Sequence, residues 1–600
     1  MSARPNIRLS KGNSIMNTDT GVQSDIKRGR LKTLLLTCAA GVGLLASPAL
    51  AQDGGTTVDP RLLVEQLVTE GILTREQADR MIRNATVPVQ QAQTLPPVPA
   101  GGVAADGTQT IPYVPEVVRE QIVQQVRTEL AGQAQTEGWA RPGETPEWTR
   151  RISLYGDVRV RGEGRFYNDE NYPDFVNWGA INAGDGFQIN DGAPGYVNPP
   201  YVNANEDRRR FRVRARLGVR ATIADWISAD VRLATGADNG PVSTNQTLGQ
   251  DGTGKYHLWV DRASLRLTPV AGVQIDLGRF ANPFWTSDLV FDNDLNFDGV
   301  AISGSGRISD QLSLFGTAGA FPVFNTSMNF GSRDAGPFES TDKYLFAAQA
   351  GLEFRPAENI RARLAGGYFY YDGVQGQFSS PGRWDQDVFD TDYTRPSFQQ
   401  FGNTMTVLRN ITADPSVAPG SSPEVQYFGL ASKFEMLTAR AALEYDISER
   451  VGVRLEGDYV RNLGFDRAAI APLALNNFSP RTTIDTVTTG GEYEGGDTGW
   501  QARLTVGSLA MGFGQGDWSA ERGDWSFHLG YRRLGSDAVI DGFADSDFGL
   551  GGTNVKGWLA GANYGVARNA FLGLRWMTSD EVSGPPLSVD RLFVDFSTKF

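Results

Sequence analysis

From Arg150 to the C-terminus, apolar and polar residues alternate with a period of two in one segment after another. In the segment 207–221, for example, Phe211, Val213 and Leu217 lie between arginines. Such a period is typical of a β-strand with one apolar and one polar face. The pattern predicts sixteen strands, near 150–166, 207–221, 226–236, 256–268, 272–281, 299–308, 311–321, 343–355, 359–371, 432–446, 450–462, 499–512, 523–534, 555–566, 569–578 and 588–600.

The connections between these segments alternate in length. Short connections such as 222–225 and 356–358 alternate with long ones such as 167–206, 372–431 and 463–498, although the alternation blurs near the C-terminus, where 513–522 is taken as a short one. Short turns at one end and long loops at the other are typical of outer-membrane barrels. In a soluble β-sandwich, the water-exposed face of a strand rarely carries a row of arginines. We therefore predict an all-β, transmembrane antiparallel barrel of about 16 strands, with lipid outside and a charged lumen.

The N-terminus predicts export. Lys27, Arg28, Arg30 and Lys32 precede an apolar run over 33–46 and the small-residue sequence 49–51. This is the pattern of a secretory signal peptide, residues 1–51, with cleavage after Ala51. The start codon stays open between Met1 and Met16.

The part between the leader and the first strand is predicted to be a short helical periplasmic segment. Residues 52–86 read as two short helices, 87–113 as a Pro, Gln and Gly-rich linker, and 114–149 as an amphipathic helix and lead-in to the barrel at 150–600. The helix after Pro115 is either a spacer or a coiled coil that helps the protein oligomerise.

Composition excludes several classes of protein. The whole chain carries a net charge of -13, and residues 1–51 hold seven basic and two acidic side chains, which leaves -18 on the mature part. This charge argues against nucleic acid as a partner. The single cysteine, Cys38, lies in the leader, and the two histidines, His257 and His528, lie on separate predicted strands without a catalytic motif. We therefore expect that the protein is not an enzyme and that it binds neither a cofactor nor a metal ion.

The C-terminal strand carries a candidate assembly signal. Leu592, Val594, Phe596 and Phe600 share one face. A terminal Phe on such a strand resembles the signal that the outer-membrane assembly machinery reads, so Phe596 and Phe600 are the expected signal residues. Thr598 departs from the aromatic residue often found third from the end. The expected partners are this machinery and outer-membrane lipid.

Several motifs resemble one family over nearly the whole mature chain. They are Glu70-Gly71-Ile72-Leu73-Thr74, Gly138-Trp139-Ala140, Gly156-Asp157-Val158-Arg159, Gly278-Arg279-Phe280-Ala281-Asn282-Pro283-Phe284-Trp285 and the acidic sequence from Asp288 to Gly299. Together they resemble the proteobacterial "putative porin" family. The resemblance implies an outer-membrane barrel, a homotrimer, and a third loop that folds into the lumen.

The acidic sequence falls in the third long loop of our strand count. It would bring Asp288, Asp292, Asp294 and Asp298 towards the lumen-facing arginines of the first two strands, which are Arg159, Arg161, Arg210, Arg212, Arg214, Arg216 and Arg220. Opposed rows of charge would create a transverse field that favours small polar solutes. Alternatively, the two rows neutralise each other as a structural network, or the aspartates bind Ca²⁺.

These expectations lead to one function and one alternative. The first is an outer-membrane porin, a water-filled channel for passive diffusion of ions and small hydrophilic solutes. The alternative is a structural or adhesive barrel with a blocked lumen, whose long loops bind an outside partner. The arginines argue for anions and the aspartates for cations, so the sequence leaves selectivity open.

Overall fold

The computed structural model describes Gln124 and residues 147–600, apart from 238–239, 251, 327–341, 485–486 and 514–515. The predicted signal peptide, the linker and nearly all of the N-terminal helical segment lie outside these residues. A short helix, α1 (Glu147–Arg151), leads into the first strand. None of the helices in the described part is long and apolar enough to cross a membrane.

Sixteen long strands follow. They are β1 (Ile152–Tyr167), β2 (Arg208–Ala224), β3 (Ile227–Thr235), β4 (Leu258–Val270), β5 (Val273–Ala281), β6 (Asn296–Arg307), β7 (Leu312–Phe324), β8 (Lys343–Ala357), β9 (Ile360–Asp372), β10 (Glu435–Asp446), β11 (Gly452–Asn462), β12 (Thr498–Gly507), β13 (Trp525–Leu534), β14 (Val555–Ala567), β15 (Ala570–Glu581) and β16 (Ser588–Lys599). Each pairs antiparallel with the next, and β16 pairs antiparallel with β1. The predicted sixteen-stranded closed barrel is confirmed.

The alternation of side chains separates the two faces of the wall. On β2, Phe211 and Leu217 point outward and are 67% and 51% exposed, whereas Arg212 and Arg214 point inward and are buried. An outward apolar face is stable only against another apolar phase, and the closed ladder leaves no free strand edge. The wall therefore has the two faces that the period of two predicts.

Seven turns join the strands at one end of the barrel, and eight mostly longer connections join them at the other. Most turns are two to five residues long, but the sixth, which we call turn 6 (residues 508–524), is much longer because β12 ends at Gly507 rather than near 512. Strand β6 begins at Asn296, three residues before its predicted start at 299. Asp298, predicted to lie in the third loop, is therefore in a strand, opposite Arg279 of β5.

The loops contain short elements of their own. Helices α2 (Trp178–Ala183) and α3 (Arg467–Ile470) and 3₁₀ turns at Asp392–Thr394 and Asp541–Phe543 lie in them. The short strand pairs are Phe187–Gln188 with Val425–Gln426, Pro381–Arg383 with Asn410–Thr412, Met405–Val407 with Phe428–Leu430, and Thr482–Ile484 with Val487–Thr489. The segment Gln246–Thr247 pairs with Arg212 and Val213 of β2, beyond the end of β3. The first pair joins two loops that are far apart in sequence, so the loop end is a packed layer.

Candidate functional site in the barrel interior

Loop 3 (residues 282–295) leaves the wall at a pair of glycines. Gly278 of β5 and Gly299 of β6 lie opposite each other, with φ of +101° and +134°. A Cβ at Gly278 would lie 2.5 Å from the Ala263 carbonyl oxygen, and one at Gly299 would lie 2.3 Å from that of Ala320. Only glycine fits both the backbone conformation and the space. The motif that includes Gly278 thus shapes the wall where the loop departs.

Loop 3 is fixed across the lumen by polar contacts. The Trp285 backbone N–H donates to Gln349 Oε1 at 2.8 Å, and Gln349 Nε2 donates to the Trp285 carbonyl at 3.1 Å. Further along, Asp288 pairs with Arg503 at 2.9 Å and Arg532 at 3.0 Å. Burial alone would raise the pKa of Asp288, but the two guanidinium groups hold it below its usual value. Inside the barrel, loop 3 therefore contacts β8 near its start and β12 and β13 further along.

The end of loop 3 reaches the arginines of β2. Asp294 pairs with Arg216 at 3.2 Å and Arg214 at 3.6 Å, and Asp157 of β1 pairs with the same two arginines. Asp292 accepts hydrogen bonds from the backbone N–H groups of Asp294 and Ser546. Burial, followed by the charges of Asp294 and Asp545, raises the pKa of Asp292 well above its usual value. Three of the four predicted aspartates therefore meet in the lumen, and Asp298 does not.

Asp298 faces outward. It alternates with Phe297, which is buried in the interior, and it pairs with Arg279 at 2.9 Å on the outer face. The acidic sequence continues past the end of the loop into β6, so sequence alone did not show where the wall resumes.

The arginine row points inward, but carboxylates and amides partner it. Arg161 is fully buried between Asp547 at 2.9 Å and Asp595 at 2.7 Å. Of the others, Arg210 and Arg212 meet Glu163, Arg214 and Arg216 meet Asp157, Arg159 donates to Asn245, and Arg220 lies over the Tyr155 ring. Glu163 and Asp157 belong to the alternating pattern of β1, so the sequence offered a signal for these pairs.

A second loop, loop 7 (residues 535–554), also enters the lumen, although the pattern of the sequence did not predict this. Loop 7 pairs Asp545 with Arg532 at 2.8 Å and Asp547 with Arg575 at 3.0 Å. Arg591 donates to the Ser546 carbonyl at 2.9 Å. Three aspartates at 541, 545 and 547 were a possible signal, because they lie just after a strand whose inward face carries Arg532.

Turn 6 fills the same region from the opposite end. Its Phe513 packs under Arg503, with the guanidinium carbon 4.3 Å from the ring centroid, and lies against His528 at 5.1 Å. His528 is buried and hydrogen-bonded to Thr505, Ser526 and Asn563. The lumen beside β12 to β16 and β1 is thus occupied by loops 3 and 7 from one end and by turn 6 from the other.

The other side of the lumen holds two cavities separated by aromatic rings. One, of about 700 Å³ at the loop end, is lined by residues that include Phe297, Phe321, Lys343 and Tyr371, and it extends to Arg279 and Asp298 at the rim of the wall. The other, of about 870 Å³ at the turn end, is lined by residues that include Gln274, Phe284, Trp285 and Arg363. Phe284 contacts Phe297, Phe321 and Phe369 with ring centroids 6.0, 5.8 and 5.0 Å apart. We call these four phenylalanines the aromatic layer.

Comparison with known proteins decides the family. A family model described as "Putative porin" matches residues 57–600. The chain belongs to this family. No curated protein matches the sequence. Solved structures similar to this porin include the outer-membrane channel DcaP of Acinetobacter baumannii (10% identity, 75% of this chain, 97% of that chain, TM-score 0.33) and OprB of Pseudomonas putida (8%, 75%, 95%, TM-score 0.38). Salmonella typhi OmpF in complex with daunomycin is a third (10%, 75%, 97%, TM-score 0.33).

The porin is an outer-membrane β-barrel with a channel function, and its family and fold are those of a channel rather than an enzyme. In such barrels the long loops are extracellular and the short turns periplasmic. Loops 3 and 7 therefore enter from outside, and turn 6 enters from the periplasm. In the described residues, no cluster of three or more His, Cys, Asp or Glu side chains is arranged to hold a metal ion.

Proposed function

We propose that small hydrophilic solutes cross this porin passively on the side of the lumen formed by β3 to β9, through the two cavities, rather than along the arginine row. The opposite side supports this route, because its charged side chains are paired, buried and covered from both ends. A solute passing there would have to break several buried ion pairs, each of which costs a few kcal/mol. The arginine row then belongs to a structural network in which it and the aspartates neutralise each other, which is one of the alternatives that the sequence left open.

The observation that carries the proposal is the position of the aromatic layer. Phe284 borders the periplasmic cavity, and its neighbours Phe297 and Phe321 border the extracellular one. Phe297, Phe321 and Phe369 are fixed on strands, whereas Phe284 is carried by loop 3. An apolar constriction of this kind controls passage by wetting. Displacement of the Phe284 ring from this layer would join the two cavities.

The test is solute-driven swelling of liposomes that contain the purified porin. We expect fast swelling with glycine and urea and none with a trisaccharide, because the cavities are hundreds of Å³ and meet at a narrow layer. Liposomes without protein give the baseline. No swelling with any solute would contradict the proposal and favour the blocked, structural barrel, for which the packed loops inside the lumen are the supporting observation.

We also propose that the porin is a homotrimer and that β3 to β7 form its interface. The exposed large apolar side chains on these strands are all aliphatic: Val231, Leu233, Leu258, Val260, Leu265, Val270, Val300, Ile302 and Leu314. On β8 to β16 they include Phe346, Phe354, Tyr368, Tyr370, Tyr445, Tyr459, Trp500, Trp525, Phe527, Trp558, Tyr564, Trp576 and Phe596. Aromatic girdles mark the lipid interfaces of a barrel, so a wall whose exposed aromatic residues are limited to Trp226 and Tyr256 beside the ends of β3 and β4 is better suited to protein.

Small and charged groups on the same wall support this assignment. Gly304 and Gly306 of β6 and Ala318 of β7 are exposed, and small residues allow close approach of a neighbouring wall. The outward pair Arg279 and Asp298 is also here, with Asp298 half-exposed. Charges that face lipid are costly, whereas an interface can pair and solvate them.

The C-terminal residues keep their proposed role in assembly. Phe596 points outward on β16, and the exposed Phe600 follows the strand, with its backbone hydrogen-bonded to Gly156 of β1. An exposed aromatic end of the closing strand is accessible to a receptor before β16 pairs with β1.

A further inference from the structure

The periplasmic cavity holds an arginine whose hydrogen-bonding groups have no partner among the residues that the structure describes. Arg363 of β9 lines this cavity and makes no hydrogen bond and no ion pair with any described residue. Its Nε is buried without an acceptor. Most lumen arginines are different, because carboxylates hold Arg161, Arg503 and Arg532.

Two aromatic rings hold the Arg363 guanidinium. Its central carbon lies 4.3 Å from the Trp285 ring centroid and 4.2 Å from that of Phe315. Stacking on aromatic faces stabilises a guanidinium and leaves the N–H groups in its plane available to donate. The rings thus fix the side chain without using its hydrogen bonds.

The nearest carboxylates are already engaged. Glu353 pairs with Arg355 at 2.6 Å. Glu444 pairs with Arg361 at 3.1 Å and with Arg454 at 2.6 Å. Among the described residues, Arg363 is therefore the cation beside this cavity that no carboxylate pairs with.

We infer that Arg363 binds the carboxylate of a passing solute whose apolar body lies against Trp285, Phe284 and Phe315. This inference rests on the proposed route through the two cavities. A guanidinium matches a carboxylate with two parallel N–H···O bonds, which makes the contact strong and directional. The cavity of about 870 Å³ has aromatic residues next to this group, so it selects amphipathic carboxylates over small hydrated anions.

The test is an equilibrium binding measurement on the full-length porin in detergent, with benzoate as the probe. We expect benzoate to bind, and acetate and neutral benzyl alcohol to bind at least tenfold more weakly, because each lacks one half of the contact. Arg363→Gln should weaken benzoate binding at least tenfold. Arg363→Lys should recover only part of the loss, since it keeps the charge but not the planar fork.

Arg361→Gln is the matched control. It removes the same charge from the same strand two residues away, but Arg361 is paired with Glu444. It should change benzoate affinity less than twofold. The inference is overturned if wild-type porin does not bind benzoate, if Arg363→Gln binds it as wild type does, or if Arg361→Gln loses as much affinity.

Liposome swelling with the same preparations separates this inference from the proposed function. Swelling without benzoate binding would remove the carboxylate site and leave the passive channel. Benzoate binding without swelling for any solute would remove the passive channel and leave the carboxylate site. Retention of the folded, heat-modifiable form on electrophoresis shows that each variant has folded, and Arg363 can be replaced without leaving a protein carboxylate unpaired.

Discussion

Individual charged residues in this porin act in pairs. Arg161 is a fully buried guanidinium, and it is tolerated in the interior because Asp547 and Asp595 lie within 3 Å of its nitrogens. Such a group is stable only while its partners stay charged. Asp547 comes from loop 7 rather than from the wall, so one residue fixes the loop to the barrel and neutralises the wall.

Asp547→Asn should therefore lower stability strongly. It leaves Arg161 and Arg575 with Asp595 as their shared carboxylate, and breaking a buried ion pair costs about 3 to 5 kcal/mol. The free energy of urea-induced unfolding, followed by tryptophan fluorescence, measures this loss. Asp385→Asn is the control, because its pair with Arg383 is exposed to solvent and should contribute little to stability. Equal effects of the two substitutions would contradict the account.

The period of two identified these residues only in part. It predicted correctly that Arg159, Arg161, Arg212 and Arg214 point into the barrel, because side chains alternate along every strand. The period could not identify Asp547 as the partner of Arg161, since Arg161 and Asp547 are 386 positions apart in the chain. Pairing across such a distance depends on the closure of the barrel, which no local pattern records.

At the scale of elements, strands and loops differ in how far sequence determines them. Each strand is specified by its own alternation, and all sixteen were predicted. Loop 3 was expected in the lumen only through family resemblance, and loop 7 and turn 6 were not expected there. Loops carry no period, so where they pack depends on the surface that the barrel offers them.

Phe284→Ala should widen the constriction. Phe284 is the loop-borne member of the aromatic layer, and its removal opens a gap between the two cavities. We expect single-channel conductance to rise at least twofold. Phe346→Ala removes a phenylalanine from the outer face of β8, so it is the control that should leave conductance unchanged. An unchanged conductance in Phe284→Ala would place the constriction elsewhere.

Loop 7 also borders the extracellular cavity through Ile540 and Phe543, so its docking should make opening of the route depend on pH. Burial raises the pKa of Asp541 from its usual 3.8 to about 7. The docked loop therefore keeps a proton that the undocked loop loses near pH 4. Docking is strongest below that pH and weakens as pH rises towards about 7. Asp537 and Asp545, also in loop 7, have pKa values that burial raises, and Asp537 opposes ionisation of Asp541.

We accordingly expect the open fraction in planar bilayers to increase between pH 4 and pH 7. Asp541→Asn should reduce this dependence, because the amide stays neutral throughout. The ion pairs of Asp547 persist over this range, since the neighbouring arginines hold the pKa of Asp547 well below its usual value against burial. An open fraction that falls as pH rises, or an unchanged slope in Asp541→Asn, would show that loop 7 does not govern opening.

At the scale of the whole molecule, the outer wall has two kinds of surface. One, on β8 to β16, carries aromatic residues suited to the lipid interface, and the other, on β3 to β7, is aliphatic and small. The alternation predicted that the outer face is apolar, but it did not distinguish lipid from protein as its neighbour. The structure adds the difference between an aromatic and an aliphatic part of the wall, on which the proposed interface rests.

Ile302→Trp should disrupt the oligomer. Ile302 points outward in the middle of β6, where a larger ring would separate closely packed walls. Leu443→Trp on β10 is the control, because a larger apolar side chain that faces lipid displaces only lipid. The mass in detergent, measured by light scattering, should fall to that of one chain for Ile302→Trp only. Trimers in both variants would remove β3 to β7 as the interface.

Single-channel conductance of the purified wild-type porin in a planar bilayer tests the central claim most directly. We predict stable, small conductance steps that appear in groups of three, with a reversal potential under a salt gradient that indicates anion preference because Arg363 is unpaired on the route. Silence across independent preparations that carry the folded barrel would contradict the account and identify the chain as a barrel with a blocked lumen.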